Sequence, residues 1–112
     1  QIQQLLLNLL QNALHAAEGT GRKPEVTLFV RRESGQVEIE VRDNGRGIPP
    51  ADRERIFDAF FSTRKGGTGL GLAIAQRIAR AHGGRLSVDS DLDFGSKFVL
   101  SLPMAEAASD LA

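Results

Sequence analysis

The sequence predicts a two-layer α+β sandwich, with helices on one face of a largely antiparallel sheet. Residues 1–17 and 69–82 repeat apolar side chains at helical spacing. Four further stretches alternate apolar and polar residues, as half-buried strands do. The order is helix, two strands, short helix, long loop, helix, two strands. It sets each long helix beside a hairpin that it can cover.

At about 100° per residue, Ile2, Leu5, Leu6, Leu9, Ala13 and Ala16 share one broad face of the first helix. Gln4, Asn8, Asn12 and His15 fall in an arc of roughly 80° beside it. Two Asn at i and i+4 are poor helix formers on one stripe, so the arc is either a solvated face or a functional one. Gly19 and Gly21 then break the helix. Residues 24–33 and 36–42 read as a hairpin turning at Ser34 and Gly35. Val26, Leu28 and Val30 on one strand and Val37, Ile39 and Val41 on the other make one buried face. Pro49 and Pro50 forbid a continuing central strand, and residues 52–57 read as a short helix. Phe57, Phe60 and Phe61 follow, and then a glycine-rich loop at residues 62–67.

The second long helix carries Leu70, Ala73, Ile74, Ile78 and Ala81 along one face and stops at Gly83 and Gly84. Residues 85–90 and 96–102 are two more strands, joined through Asp93, Phe94 and Gly95. Pro103 closes the domain at residues 1–103, and residues 104–112 are a frayed or weakly helical tail.

The chain has 112 residues, enough for one domain with a core that needs no staple. It has no Cys, which excludes disulfides and Cys-ligated metals and fits a reducing compartment. Fourteen bases and fourteen acids cancel, so bulk charge points to neither nucleic acid nor an anionic membrane. No apolar run approaches the roughly 18–20 residues that span a bilayer. There is no signal peptide, and the chain opens inside a helical pattern, as a piece of a longer protein would.

Eight of the 12 glycines fall between Gly45 and Gly84, and that clustering is the first pointer to a site. Asp43, Asn44, Gly45, Arg46 and Gly47 end a strand. They read as an ordinary turn, or as a pocket wall in which a carboxylate accepts from a ligand while glycines allow close approach. Gly67, Thr68, Gly69, Leu70 and Gly71 open a helix, whose free N–H groups suit phosphate. No buried strand precedes them, as a dinucleotide fingerprint requires, and no Lys-Ser/Thr closes them, as a P-loop requires. From residue 59 to 88 there is no acid, while Arg64, Lys65, Arg77, Arg80 and Arg85 lie there; that charge supports a phosphate cradle, with a solvated basic face as the alternative reading. His15 and His82 make no paired metal spacing.

Taken in order, these segments closely resemble the ATP-binding catalytic domain of bacterial sensor histidine kinases. Asn8 to Ala13, Asp43 to Pro49, Ile56 to Arg64 and Gly67 to Ile74 stand as its N, G1, F and G2 boxes, and the resemblance covers residues 1–103. The short stretch between the last two boxes is similar to the nitrogen- and flagellar-regulation type. The resemblance implies the Bergerat fold, a mixed, mostly antiparallel sheet under helices, binding ATP and Mg²⁺. It implies that Asp43 receives the adenine amino group and Asn12 coordinates Mg²⁺. Asn8 and Asn12 stand as the catalytic pair of the N box. Gly45 and Gly47 shape the base pocket, and Ile48 beside them is a nucleotide-binding residue. The backbone N–H groups of Gly67, Gly69 and Gly71 hold the phosphates, and Thr68, Leu70 and Leu72 count among the nucleotide-binding residues of the same box. Phe57, Phe60 and Phe61 anchor a lid, and Arg64 or Lys65 touches the γ-phosphate.

Many members carry Lys and Tyr where this chain has His15 and Ala16, so His15 is a weaker, pH-dependent phosphate donor. The strand and helix that normally precede the N box are missing, which leaves a sheet edge open or covered by a partner copy in a homodimer. The implied partners are a histidine-bearing dimerisation domain and the receiver domain of a response regulator, with no nucleic acid. The implied place is the cytoplasm, with a parent that is cytosolic or anchored in the inner membrane. Two rivals stand. One is a hydrolytic ATPase of the same superfamily, which needs a Glu where this chain has Asn8. The other is a non-catalytic nucleotide-sensing or docking module.

Overall fold

The computed structural model describes residues 1–59, 61, 70–91 and 94–105. Helix α1 (Ile2–Ala17) leads into strands β1 (Val26–Glu33) and β2 (Gln36–Asp43). Helix α2 (Gly71–Ala81) and strands β3 (Arg85–Asp91) and β4 (Gly95–Pro103) follow. The sheet runs β1-β2-β4-β3, and every pairing among the described residues is antiparallel. Both hairpins are therefore kept, and β4 lies between β2 and β3.

Ser34 and Gly35 carry φ of 49° and 79°, the paired positive values of the two-residue turn whose twist matches its strands. The register then sets Val41 opposite Leu28 and Ile39 opposite Val30 on one face. Only half of that face is buried. Ile39 and Val41 are 2% and 0% exposed, whereas Leu28 and Val30 are 48% and 64% exposed. The reason is the sheet order. β1 is an edge strand, and among the described residues the helices lie over β2, β4 and β3, meeting β1 mainly at its start.

Beneath the helices, Ile2, Leu5, Leu9 and Ala13 of α1 pack on Val41, Phe98, Leu100 and Leu102 of the sheet. From α2 the buried residues are Ala75, Ile78 and Ala79, so its sheet-facing side is rotated from the predicted stripe, and Ile74 is exposed. Two neighbouring faces of this helix are apolar, and periodicity alone does not rank them. The alanines let the helix sit close to the sheet.

The helix expected at residues 52–57 is instead a single 3-10 turn (Pro50–Asp52) followed by turns, with one i→i+4 bond from Ile56 N–H to the Asp52 carbonyl at 3.1 Å among i→i+3 bonds such as Asp58 N–H to the Arg55 carbonyl at 2.9 Å. So short a run does not recover the cost of nucleating an α-helix. The second long helix begins at Gly71, two residues later than expected. Met104 N–H ties back to the Gly35 carbonyl at 2.9 Å. Phe60, Arg64, Lys65, Gly67, Thr68, Gly69 and Asp93 lie outside the described residues, as does the tail from residue 106.

Candidate functional site

The polar arc of α1, the exit of β2, the turns after Pro50 and the start of α2 enclose a cavity of about 490 Å³. Asn8, Gln11, Asn12 and His15 form its α1 wall. Arg46, Gly47 and Ile48 form the wall that follows β2. Ile56 and Phe61 close one apolar end, and Leu70, Gly71 and Leu72 come from the start of α2. The basic side chains among these are His15 and Arg46, and no Asp or Glu of the described residues lines the cavity. The site thus pairs amides, an imidazole and the Arg46 guanidinium with an apolar end, which suits a flat apolar ring carrying an anionic tail.

Asp43 stands behind this cavity, in an adjoining recess of about 270 Å³ that also holds Ser90; Ser96 borders both spaces. The carboxylate is buried, at 8% exposed. Its Oδ1 accepts the Gly45 N–H at 2.8 Å, while Oδ2 has no hydrogen-bond partner among the described residues. Burial pushes the Asp43 carboxyl up from its ordinary value, with the backbone N–H groups of Gly45 and Ser96 pulling the other way. A buried oxygen left open in this way is an acceptor waiting for a donor.

The loop that carries the site is held from the side of β1. The Asn44 side chain donates to the Lys23 carbonyl at 2.8 Å and accepts the Glu25 N–H at 2.9 Å. Arg22 donates to the Asn44 and Gly45 carbonyls at 2.8 and 2.9 Å. Gly45 is pressed onto the end of α1, where a Cβ would run into the Ala16 carbonyl oxygen. Its glycine therefore serves the close approach of helix and loop. Gly47 has φ of 75° and takes the left-handed conformation that suits glycine.

Asn8 is committed within the fold. Its Nδ2 donates to the Gly71 carbonyl at 3.2 Å, and its Oδ1 accepts from Gln4 at 3.2 Å. Phe57 turns toward the core, meeting the Phe98 ring edge-on at 6.3 Å. Among the described residues Phe61 is the Phe that lines the cavity, with the Arg55 guanidinium 4.6 Å from its ring centre. Arg46 lines the site as part of the pocket-wall segment read from sequence, whereas Gln11 and Ser96 line it without having been singled out. Gln11 falls about 20° beyond the edge of the arc that holds Asn8 and His15, next to Gln4, so the period places it beside that arc. Ser96 gave no such sign, because only strand pairing brings it to Asp43.

Residues 1–106 match the family described as histidine kinase-, DNA gyrase B-, and HSP90-like ATPase. The alginate biosynthesis sensor protein KinB of Pseudomonas aeruginosa is 42% identical over 107 residues, covering 93% of this chain and 17% of KinB. The signal transduction histidine-protein kinase AtoS of Escherichia coli (strain K12) is 43% identical over 103 residues, covering 92% of this chain and 17% of AtoS. Sensor histidine kinase ZraS of Klebsiella oxytoca is 40% identical over 105 residues, or 93% of this chain and 22% of ZraS. The chain thus spans about a fifth of the length of these relatives. Among solved structures, the nucleotide-free catalytic domain of histidine kinase ThkA superposes with a TM-score of 0.79 at 35% identity, over 92% of this chain and 66% of that one. Full-length ShkA in complex with AMPPNP superposes with a TM-score of 0.79 at 37% identity, over 91% of this chain and 21% of ShkA. In sequence and in fold, this chain belongs to the histidine kinase-, DNA gyrase B-, and HSP90-like ATPase family and is a homologue of the ATP-binding catalytic domains of sensor histidine kinases.

Proposed function

We propose that this chain is the ATP-binding catalytic part of a two-component sensor histidine kinase. It holds ATP so that the γ-phosphoryl group passes to a histidine on a dimerisation domain, and from there to an aspartate on a response regulator. The observation that carries this reading is the open Oδ2 of buried Asp43 beside a cavity with no acid on its described walls. Asp43 accepts the adenine amino group; Gly47 and Ile48 lie along the base. The start of α2 at Gly71, flanked by Leu70 and Leu72, offers N–H groups to the phosphates, Arg46 adds positive charge and the His15 ring offers a nitrogen beside it. AMPPNP bound to ShkA supports a nucleotide in this fold.

Among the described residues no cluster of three His, Cys, Asp or Glu forms a metal cage. Mg²⁺ fits here as a guest of the nucleotide. It takes oxygen ligands, keeps several waters and leans on phosphate oxygens, so the Asn12 amide oxygen suffices as a protein ligand. When bound it neutralises phosphate charge. The chain's own part is to orient the nucleotide and to exclude a base for water. Asn8 is spent on Gly71 and Gln4 and has no basic character, which disfavours the hydrolytic rival. The short run between Phe61 and Gly67 supports the nitrogen- or flagellar-regulation type. No helix of the described residues is long and apolar enough to cross a membrane; the domain is proposed to work in the cytoplasm, where ATP is present.

The test uses γ-labelled ATP, the chain, and a separately made dimerisation domain of the parent protein. Label is expected on the acceptor histidine and not on His15 or His82. Asp43→Ala is expected to remove the label, with nucleotide affinity down by about 1.5–3 kcal/mol in titration calorimetry. Fast phosphate release by the chain alone would move it to the hydrolytic ATPases. Binding without transfer to any acceptor would make it a sensing or docking module.

A further inference from the structure

We propose that Ser90 is a positioning residue for the cavity, holding the wall formed by Gly47 and Ile48 in place. The proposal rests on the reading of that cavity as a nucleotide site. Ser90 lies near the end of β3 and is 3% exposed. Its Oγ accepts the Ile48 N–H at 2.7 Å, across 42 residues of chain. The same Oγ lies 3.1 Å from the Gly95 carbonyl and 2.9 Å from the Ser96 Oγ. A serine has one hydroxyl proton, and a carbonyl only accepts, so that proton goes to Gly95. Ser96 then donates to Ser90, and the Ser90 oxygen holds two donors at once.

The Ser90 backbone is also engaged. Its carbonyl accepts from the Arg53 guanidinium, whose Nε is buried with no partner among the described residues. Ser90 therefore grips the connecting segment at both ends, at Ile48 and at Arg53. The segment between them needs an outside grip. Pro49 and Pro50 have no N–H, so the Ile48 N–H is the last backbone donor before the 3-10 turn. Ile48 and Pro49 both line the cavity. Without the hydroxyl, a part-buried N–H loses its acceptor and the wall is free to shift.

The test measures ADP binding by calorimetry, and Ile48 amide exchange by NMR, on the 112-residue chain. Ser90→Ala is expected to lower ADP affinity about 5- to 20-fold and to speed exchange at Ile48. Arg53→Met leaves the hydroxyl in place and carries the test if Ser90→Ala does not fold; a loss of about two- to threefold and faster Ile48 exchange are expected. Leu102→Val is the control, fully buried at the far end of β4 and opposite Val37. At a matched loss of Tm it is expected to keep ADP affinity and Ile48 protection. Equal affinity loss in this control, or unchanged Ile48 exchange in Ser90→Ala, overturns the proposal. If the parent binds ADP and Ser90→Ala binds it equally well, the positioning role fails alone. If the parent does not bind ADP, the nucleotide reading fails and the proposal falls with it.

Discussion

The Asn8 side chain donates to the Gly71 carbonyl at 3.2 Å, joining residues 63 positions apart in sequence and two walls of one cavity. The first helix is thereby fastened to the first residue of the second, where the first-turn N–H groups of α2 lie. Asn8→Ala is expected to cost about 0.5–1.5 kcal/mol of stability, read by urea denaturation. No change would mean that the amide is spent on solvent.

Asn12 lines the same wall one turn further along, and its proposed task is different. Asn12→Ala is expected to weaken Mg²⁺-ATP by about fivefold and Mg²⁺-free ATP by clearly less. Calorimetry with and without EDTA separates the two. Equal losses would make Asn12 a contact to the nucleotide itself.

Asp43 ties stability to pH. Burial raises its folded value, so the folded chain binds this proton more tightly than the unfolded chain does. Its contribution to stability is full below the ordinary aspartate value of about 4 and is lost as pH rises through the raised folded value. Asp43→Asn stays neutral, so its stability relative to the parent should rise as pH rises through that window while nucleotide binding falls. A stability difference that is flat across a urea series from about pH 3 to about pH 7 would contradict the charge burial.

Gly45→Ala places a methyl against the Ala16 carbonyl, and the φ of Gly45 lies outside the left-handed region. The cost is therefore steric, on the order of 1–3 kcal/mol. Guanidinium denaturation would show it; a neutral result would mean that the end of α1 yields easily.

Val30 and Ile39 face each other across the first hairpin, yet only Ile39 is buried. Ile39→Ala is expected to cost about 2–5 kcal/mol, and Val30→Ala to stay within about 0.5 kcal/mol. Comparable losses at both sites would mean that β1 is covered in solution.

The sequence by itself determined the element order, the hairpins and the site's vocabulary. Period 3.6 marked α1 and put Asn8, Asn12 and His15 on one arc; period 2 and Ser34-Gly35 marked the first hairpin. These are local properties, written in neighbours a few residues apart. What lay beyond that reach was decided only by the tertiary structure. Leu28 and Val30 alternate as well as Ile39 and Val41 do, but sheet order left β1 at the edge. Two apolar faces of α2 were equal in pattern, and packing on the sheet chose Ala75 and Ala79 over Ile74. Asp43 was visible as a carboxylate in a turn motif, but its open oxygen and raised pKa come from burial. Ser90 had no mark in the sequence at all, because its partners Ile48 and Arg53 meet it only once the sheet and the connecting turns have packed. Periodicity reports how a segment divides its two faces; which face is covered, and by what, depends on the segments packed against it.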